Sequence, residues 1–178
     1  MIRAMESLAD AAPSAAEIIE FEGAPLRVPI LDARPEPRPG ALLARGVCRH
    51  LAALDFAALE EFSPAPGLRV DVMALGPKGE LWVVECKSSR ADFTSDRKWQ
   101  GYVEWCDRYF WAVGPDFPAT LLPDGTGLIY ADAYDAEIAR MPDEARLAPA
   151  RRKKLTHAFA RHAARRAWAL RDPKPGAG

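Results

Sequence analysis

The chain has 178 residues, 49% of them hydrophobic, with 24 basic and 25 acidic side chains and a formal net charge of -1. That length and apolar content suit one domain with an appendage and a sizeable core. No run of eighteen apolar residues occurs, acids interrupt the apolar residues near the N-terminus, and Cys48, Cys86 and Cys106 show no C-x-x-C spacing. A membrane span, a secretory leader, a disulfide framework and a zinc site are therefore not expected, and a cytoplasmic protein is.

Charge is distributed unevenly: residues 1–38 carry -3, residues 39–144 carry -7 and residues 145–178 carry +9. An acidic body with a basic tail follows. Pro25, Pro29, Pro35 and Pro37 punctuate residues 1–38, which read as an extended or mobile arm. The core is predicted over residues 39–145. It opens with a helix over Gly40–Leu54, where Leu42, Leu43, Val47, Leu51 and Leu54 fall near helical spacing. Asp55–Phe62 reads as a strand, followed by two more, Arg69–Leu75 and Leu81–Lys87, joined by Gly76-Pro77-Lys78-Gly79. Thr94 or Ser95 is positioned to cap a helix reaching about Asp107, with Trp99, Tyr102, Val103 and Cys106 as its apolar stripe, and Arg108–Val113 is a further strand. Gly127–Asp132 and Ala136–Met141 fit either two strands or a strand and a helix. Residues 146–172 are predicted as a basic helix, with Leu155, Phe159, Ala163 and Ala167 recurring every four residues, and residues 173–178 as a frayed end.

The hairpin carries the chemistry. If its turn centres on Lys78, facing residues sum to 156, so Leu75 meets Leu81, Met73 meets Val83 and Asp71 lies opposite Glu85. Period-two alternation puts Glu85 and Lys87 on one face, and directly opposed residues hold their Cβ atoms roughly 4.5–5.5 Å apart. Two carboxylates so close need a cation or a shared proton. Lys87 or a divalent metal can supply the charge, and Mg²⁺ suits a site with one or two carboxylates, to which the Cys86 carbonyl adds an oxygen. Two acids and a lysine on one sheet face are a set of groups that can hydrolyse a phosphodiester bond. Lys87 simply paired with neighbouring acids on a half-exposed hairpin is the plainer alternative.

The order helix, three strands, helix, strand, with Asp71 on the second strand and Glu85-Cys86-Lys87 on the third, resembles the PD-(D/E)XK nuclease superfamily. The run from RVDVMALGPKGELWVVECKSSRADF through WCDRYFWAVGPDFP, with LAPARRKKLTHAFAR beyond it, is similar to the MmcB-like DNA repair proteins over about residues 40–170. The resemblance implies an α/β, restriction-endonuclease-like core with a central mixed sheet flanked by helices, and a repair protein that cuts DNA using Mg²⁺ or Mn²⁺. It makes Asp71 and Glu85 metal ligands and Lys87 the catalytic lysine. Val70 stands where the motif's name has proline. Many superfamily members carry a glutamate on the first helix, where this chain has Arg45 and Arg49; Glu61 either replaces it or is an ordinary strand-end glutamate. Gln100, with Lys98 nearby, occupies the helix where superfamily members often place a polar residue toward the site.

Ser88, Ser89 and Arg90 follow the third strand and serve either as phosphate contacts or as turn residues. Arg151, Arg152, Lys153 and Lys154 on the basic helix either grip a nucleic-acid backbone or dock against the acidic body. DNA is the expected partner, with other repair proteins as further candidates. A non-catalytic accessory factor that keeps the nuclease fold is the alternative to an endonuclease.

Overall fold

The computed structural model describes residues 37–96 and 98–173. The arm predicted over 1–38 and the end predicted over 173–178 thus lie almost wholly outside the described residues. The first helix, α1 (Pro39–Ala53), begins with proline in its first turn, where a missing N–H costs nothing. It stops because Asp55 takes the left-handed conformation at φ 63°. There Asp55 N–H donates to Ala52 O at 3.1 Å and Phe56 N–H to Leu51 O at 2.9 Å, the paired bonds of a Schellman ending. Asp55 and Phe56 are consumed by that stop, so β1 spans Ala57–Phe62 rather than starting at Asp55.

The hairpin forms as predicted, with β2 at Val70–Leu75 and β3 at Leu81–Lys87. Its register runs from Leu75↔Leu81 through Met73↔Val83 to Val72↔Val84. Gly79, at φ 81°, closes the turn by donating to Gly76 O at 3.0 Å. The sheet has six strands in sequence order. β1, β2 and β3 are antiparallel, β4 (Arg108–Val113) and β5 (Gly127–Ala131) continue parallel to β3, and β6 (Ala136–Arg140) returns antiparallel. The choice left open for the last two segments resolves to two strands. The reason is a local turn: the Asp132 carboxylate accepts from Tyr134 N–H at 2.6 Å and Asp135 N–H at 2.9 Å, reversing the chain.

One long helix was predicted between β3 and β4, and the chain forms two short ones. The first, α2 (Arg90–Ser95), starts five to six residues early because Ser89, not Thr94 or Ser95, caps it, accepting from Asp92 N–H at 3.1 Å. Asp96 then leaves helical geometry at ψ 116°, and α3 is confined to Gln100–Val103.

Both sheet faces are covered, as strands apolar on both sides require. Leu43, Val47 and Leu51 of α1 pack on Val72, Trp82, Val84 and Phe110. α1 approaches the β5–β6 turn so closely that a Cβ on Gly46 would stand 2.2 Å from Asp132 O. Arg45 and Arg49 donate to Ala133 O and Tyr134 O of that turn. The other face carries Met73, Leu81, Val83, Tyr109 and Trp111, covered by Tyr102 and by Leu155 and Phe159 of α4 (Pro149–Arg171). No helix among the described residues is long and apolar enough to cross a membrane.

α4 is fastened by one buried carboxylate. Asp107, 3% exposed, receives both guanidinium nitrogens of Arg152 at 2.6 and 2.7 Å, Leu81 N–H at 2.7 Å and Leu147 N–H at 2.8 Å. Those four bonds join the start of β3, the start of β4 and α4. Removing one partner of such a pair leaves an uncompensated buried charge. Arg152→Ala, which strands the Asp107 carboxylate, is therefore expected to destabilise the protein by about 3–5 kcal/mol in urea unfolding; a loss below about 1 kcal/mol would show that the helix is held chiefly by Leu155 and Phe159.

Candidate active site

The β2–β3 ladder of paired backbones gives way just beyond Val72↔Val84. There each strand's backbone binds the other strand's acid instead. Asp71 N–H donates to Glu85 Oε1 at 3.1 Å, and Cys86 N–H donates to Asp71 Oδ2 at 2.8 Å. This reciprocal clamp fixes both carboxylates and leaves Asp71 Oδ1 and Glu85 Oε2 without a protein hydrogen bond among the described residues. The acids sit in a cleft of about 550 Å³ at the end of the hairpin opposite its turn. α1 walls it with Gly40, Ala41 and Ala44, and β1 contributes Glu60 and Glu61. Glu61 lies between the pairs Glu60↔Val72 and Phe62↔Val70, which places it across from Asp71. Its backbone is left-handed at φ 53°, and its half-exposed carboxylate meets Arg69 at 2.7 Å on the rim.

Lys87 shares a face with Glu85 through strand alternation, its ammonium 5.8 Å from the centroid of Trp111, the residue paired with Glu85 on β4. Its closest partner is neither ligand candidate. Lys87 Nζ lies 2.7 Å from Asp96 Oδ2, with both side chains about nine-tenths buried, at 9% and 11% exposure. Asp96 is itself oriented by Lys98 N–H, which donates to Oδ1 at 2.8 Å. The helix break at Asp96 therefore exists where its carboxylate reaches back to the lysine.

Burial dominates the protonation of these groups. It pushes the Glu85 carboxyl up to about 8, with the neighbouring Asp71 charge adding to the rise, and it raises Asp71 despite the Cys86 N–H and the Lys87 charge. Burial opposes the charge on Lys87, but the Asp96 carboxylate outweighs it and holds the ammonium above its ordinary value. Asp96 is lowered in turn, its own burial being overcome by the bond from Lys87. Burial also raises the Tyr102 phenol, reinforced by Glu85, the largest of the charges acting on it. Among the described residues no three His, Cys, Asp or Glu side chains group into a metal-holding cluster. The donors are thus two desolvated carboxylates with one free oxygen each, which fits an ion that keeps most of its water, as Mg²⁺ does.

A family profile described as "DNA repair protein MmcB-like" matches residues 27–174. The chain belongs to the MmcB-like family. A solved structure, the SPO1766 protein of unknown function from Silicibacter pomeroyi, is 68% identical and superposes with a TM-score of 0.77. The match covers 80% of this chain and 98% of that one. Comparison with curated proteins finds no match.

In this MmcB-like chain Asp71, Glu85, Cys86 and Lys87 come together in one cleft, with Glu61 at its rim. Other predicted residues stand elsewhere. Gln100 is exposed at the start of α3 and does not line the cleft; the break at Asp96 shifts the helix so that Tyr102 carries the side chain electrostatically coupled to Glu85. Ser89 is spent on the cap of α2, whereas Ser88 does line the cleft while donating through N–H and Oγ to Asp92 at 3.1 and 3.3 Å. Arg90 and Lys98 are exposed and lie outside the cleft lining. Arg152 is bound to Asp107, and Arg151 meets Glu104 at 3.2 Å and stacks over Trp105 at 4.9 Å, so these two anchor α4 instead of standing free for a phosphate. Lys153 and Lys154 remain exposed. The residue missed in the sequence is Asp96, whose role depends on where the chain returns after α2.

The raised Glu85 carboxyl has a direct consequence for stability. The folded state keeps a proton between about 4.5, the ordinary value, and about 8, while the unfolded chain loses it. Without divalent metal, stability should therefore fall as pH rises through that window. Glu85→Gln, which retains an oxygen for Asp71 N–H, should flatten the decline and melt higher than wild type at pH 8 by on the order of several degrees. A metal-free melting curve equally pH-dependent in both proteins would contradict this.

Proposed function

We propose that the protein is a DNA repair endonuclease with a restriction-endonuclease-like PD-(D/E)XK core that hydrolyses phosphodiester bonds with Mg²⁺ or Mn²⁺. The observation that carries this reading is the reciprocal clamp: two buried carboxylates, each with one oxygen left free, beside a buried lysine in an open cleft. Asp71, Glu85 and the carbonyl of Cys86 are the groups to hold the ion. When bound, it supplies Lewis-acid stabilisation of phosphate charge and acidifies water. Lys87, held as an ammonium by Asp96, serves as a fixed cation that draws a phosphate oxygen toward the acids and stabilises the charge developing on it. That assignment sets it apart from a general base, which needs a deprotonated amine. DNA as the substrate is supported by the family's description and by the positive charge of the C-terminal region.

A second reading, an accessory factor that binds DNA or a repair protein without cutting, is favoured by a specific feature. α1 turns Pro39, Gly40, Ala41 and Ala44 toward the cleft and no acid, and Glu61, across from Asp71, is engaged by Arg69.

Incubation with single-stranded, double-stranded and branched DNA in Mg²⁺ or Mn²⁺ separates the two. Wild type is expected to cleave at least one substrate, Asp71→Ala to lose cleavage, and Lys87→Ala to slow it by roughly 10²-fold or more. No cleavage of any substrate, or equal cleavage by wild type and Lys87→Ala, would establish the accessory reading instead. Asp96→Asn removes the charge that keeps Lys87 protonated, so the alkaline limb of the cleavage profile should move to lower pH; an unmoved limb would remove Asp96 from the site's electrostatics.

A further inference from the structure

α4 outruns the body it is fastened to. Near its start Arg152 binds Asp107 and Gly79 O, at the turn end of the hairpin. Farther along, Phe159 and His162 lie against Phe62, at ring separations of 6.0 and 5.5 Å. Phe62 ends β1 and follows Glu61, at the acid end of the sheet. The helix therefore runs from the turn end to the acid end. Beyond His162 its last nine residues, from Ala163 to Arg171, continue for about 14 Å.

Nothing in the described body covers that projection, and every residue from Ala164 to Arg171 is exposed. From Arg161 onward the helix holds Arg161, Arg165, Arg166 and Arg171 and no acid. None of the four forms a salt bridge with another described residue, whereas Arg151 and Arg152 at the anchored end do. At 100° per residue Arg161, Arg165 and Trp168 fall within about 60° of one another. They lie away from the stripe through Leu155 and Phe159 that docks the helix. Trp168 is 61% exposed. Two free guanidiniums in line with an exposed indole match a chain of phosphates with accessible base faces, since guanidiniums bind phosphate oxygens and indole rings stack on unpaired bases. The cleft's acids, Glu60, Glu61, Asp71, Glu85 and Asp92, outnumber its cations, Arg38, Arg69 and Lys87, so cations at this end of the sheet add an attraction for a polyanion that the cleft alone supplies weakly.

We propose that the distal half of α4 grips a single-stranded segment of DNA beside the cleft, Arg161 and Arg165 on its phosphates and Trp168 stacked on an unpaired base. The assignment rests on the reading of the cleft as a DNA-processing site. It moves the expected DNA contact from Arg151–Lys154 to the projecting end of the same helix.

Fluorescence anisotropy of a labelled single-stranded oligonucleotide and its duplex, with full-length protein in EDTA, tests it without cleavage. The slope of log affinity against log salt should flatten by about 1.4 in Arg161→Ala/Arg165→Ala, two phosphate contacts at about 0.7 each. Trp168→Ala should weaken single-strand binding roughly tenfold and duplex binding by less than about twofold. Lys78→Ala, exposed on the hairpin turn, should bind as wild type does. An unchanged salt slope in the arginine variant overturns the proposal. So does a Trp168→Ala protein whose sedimentation changes while its affinity does not, which would make the projection a contact between copies of the chain. Loss of binding in these variants, with no wild-type cleavage in any metal, upholds the grip and removes the nuclease reading.

Discussion

The structure depends on two carboxylates held together where a sheet would ordinarily keep them apart. Asp71 and Glu85 face each other across β2 and β3, and like charges in that position destabilise strand pairing. The chain meets this by opening the backbone ladder at that point and giving each acid the other strand's N–H. The bonds fix position without removing the cost of burial, which appears as the raised protonation of both groups. A site that keeps a proton when alone, and that under the proposed function would exchange it for a cation, is the physical meaning of the clamp.

Strand β3 is the member on which the rest converges. It is buried along its whole length, and an acid from outside the strand holds each end. Asp107 receives Leu81 N–H at the start, and Asp96 receives Lys87 Nζ at the finish. The first acid also collects α4 through Arg152, so the anchoring of the basic helix and the alignment of the catalytic candidates share one strand. The second explains the broken helix between β3 and β4: a continuous helix would carry Asp96 away from Lys87, and the ion pair at about a tenth exposure outweighs the hydrogen bonds of one more turn.

Charge is divided along the same axis. The body carries the negative charge and the cleft concentrates it, while α4 begins with arginines that are neutralised by the body and ends with arginines that pair with no other described residue. One helix thus combines the two alternatives posed for its basic run, docking at its anchored end and presenting free positive charge beyond Phe159.

What the residues alone determined is the hairpin and its register. Gly76-Pro77-Lys78-Gly79 admits a tight turn between two apolar runs, period-two alternation follows, and the opposition of Asp71 and Glu85 is then arithmetic, because all of these are short-range. The belt of strands and the covering of both sheet faces were legible for the same reason, in alternating apolar residues. Local signals also misled: Thr94 and Ser95 are acceptable caps, but Ser89 Oγ takes Asp92 N–H while the Asp92 carboxylate takes Ser88 N–H, and the earlier start and the break at Asp96 leave Gln100 exposed outside the cleft. Tertiary structure alone decided that Asp96 meets Lys87, that Asp107 takes Arg152 forty-five residues on, and that Glu61 turns to Arg69. Each is an ion pair whose worth depends on burial and on the path of an intervening chain, and neither quantity is written in the spacing of the charges.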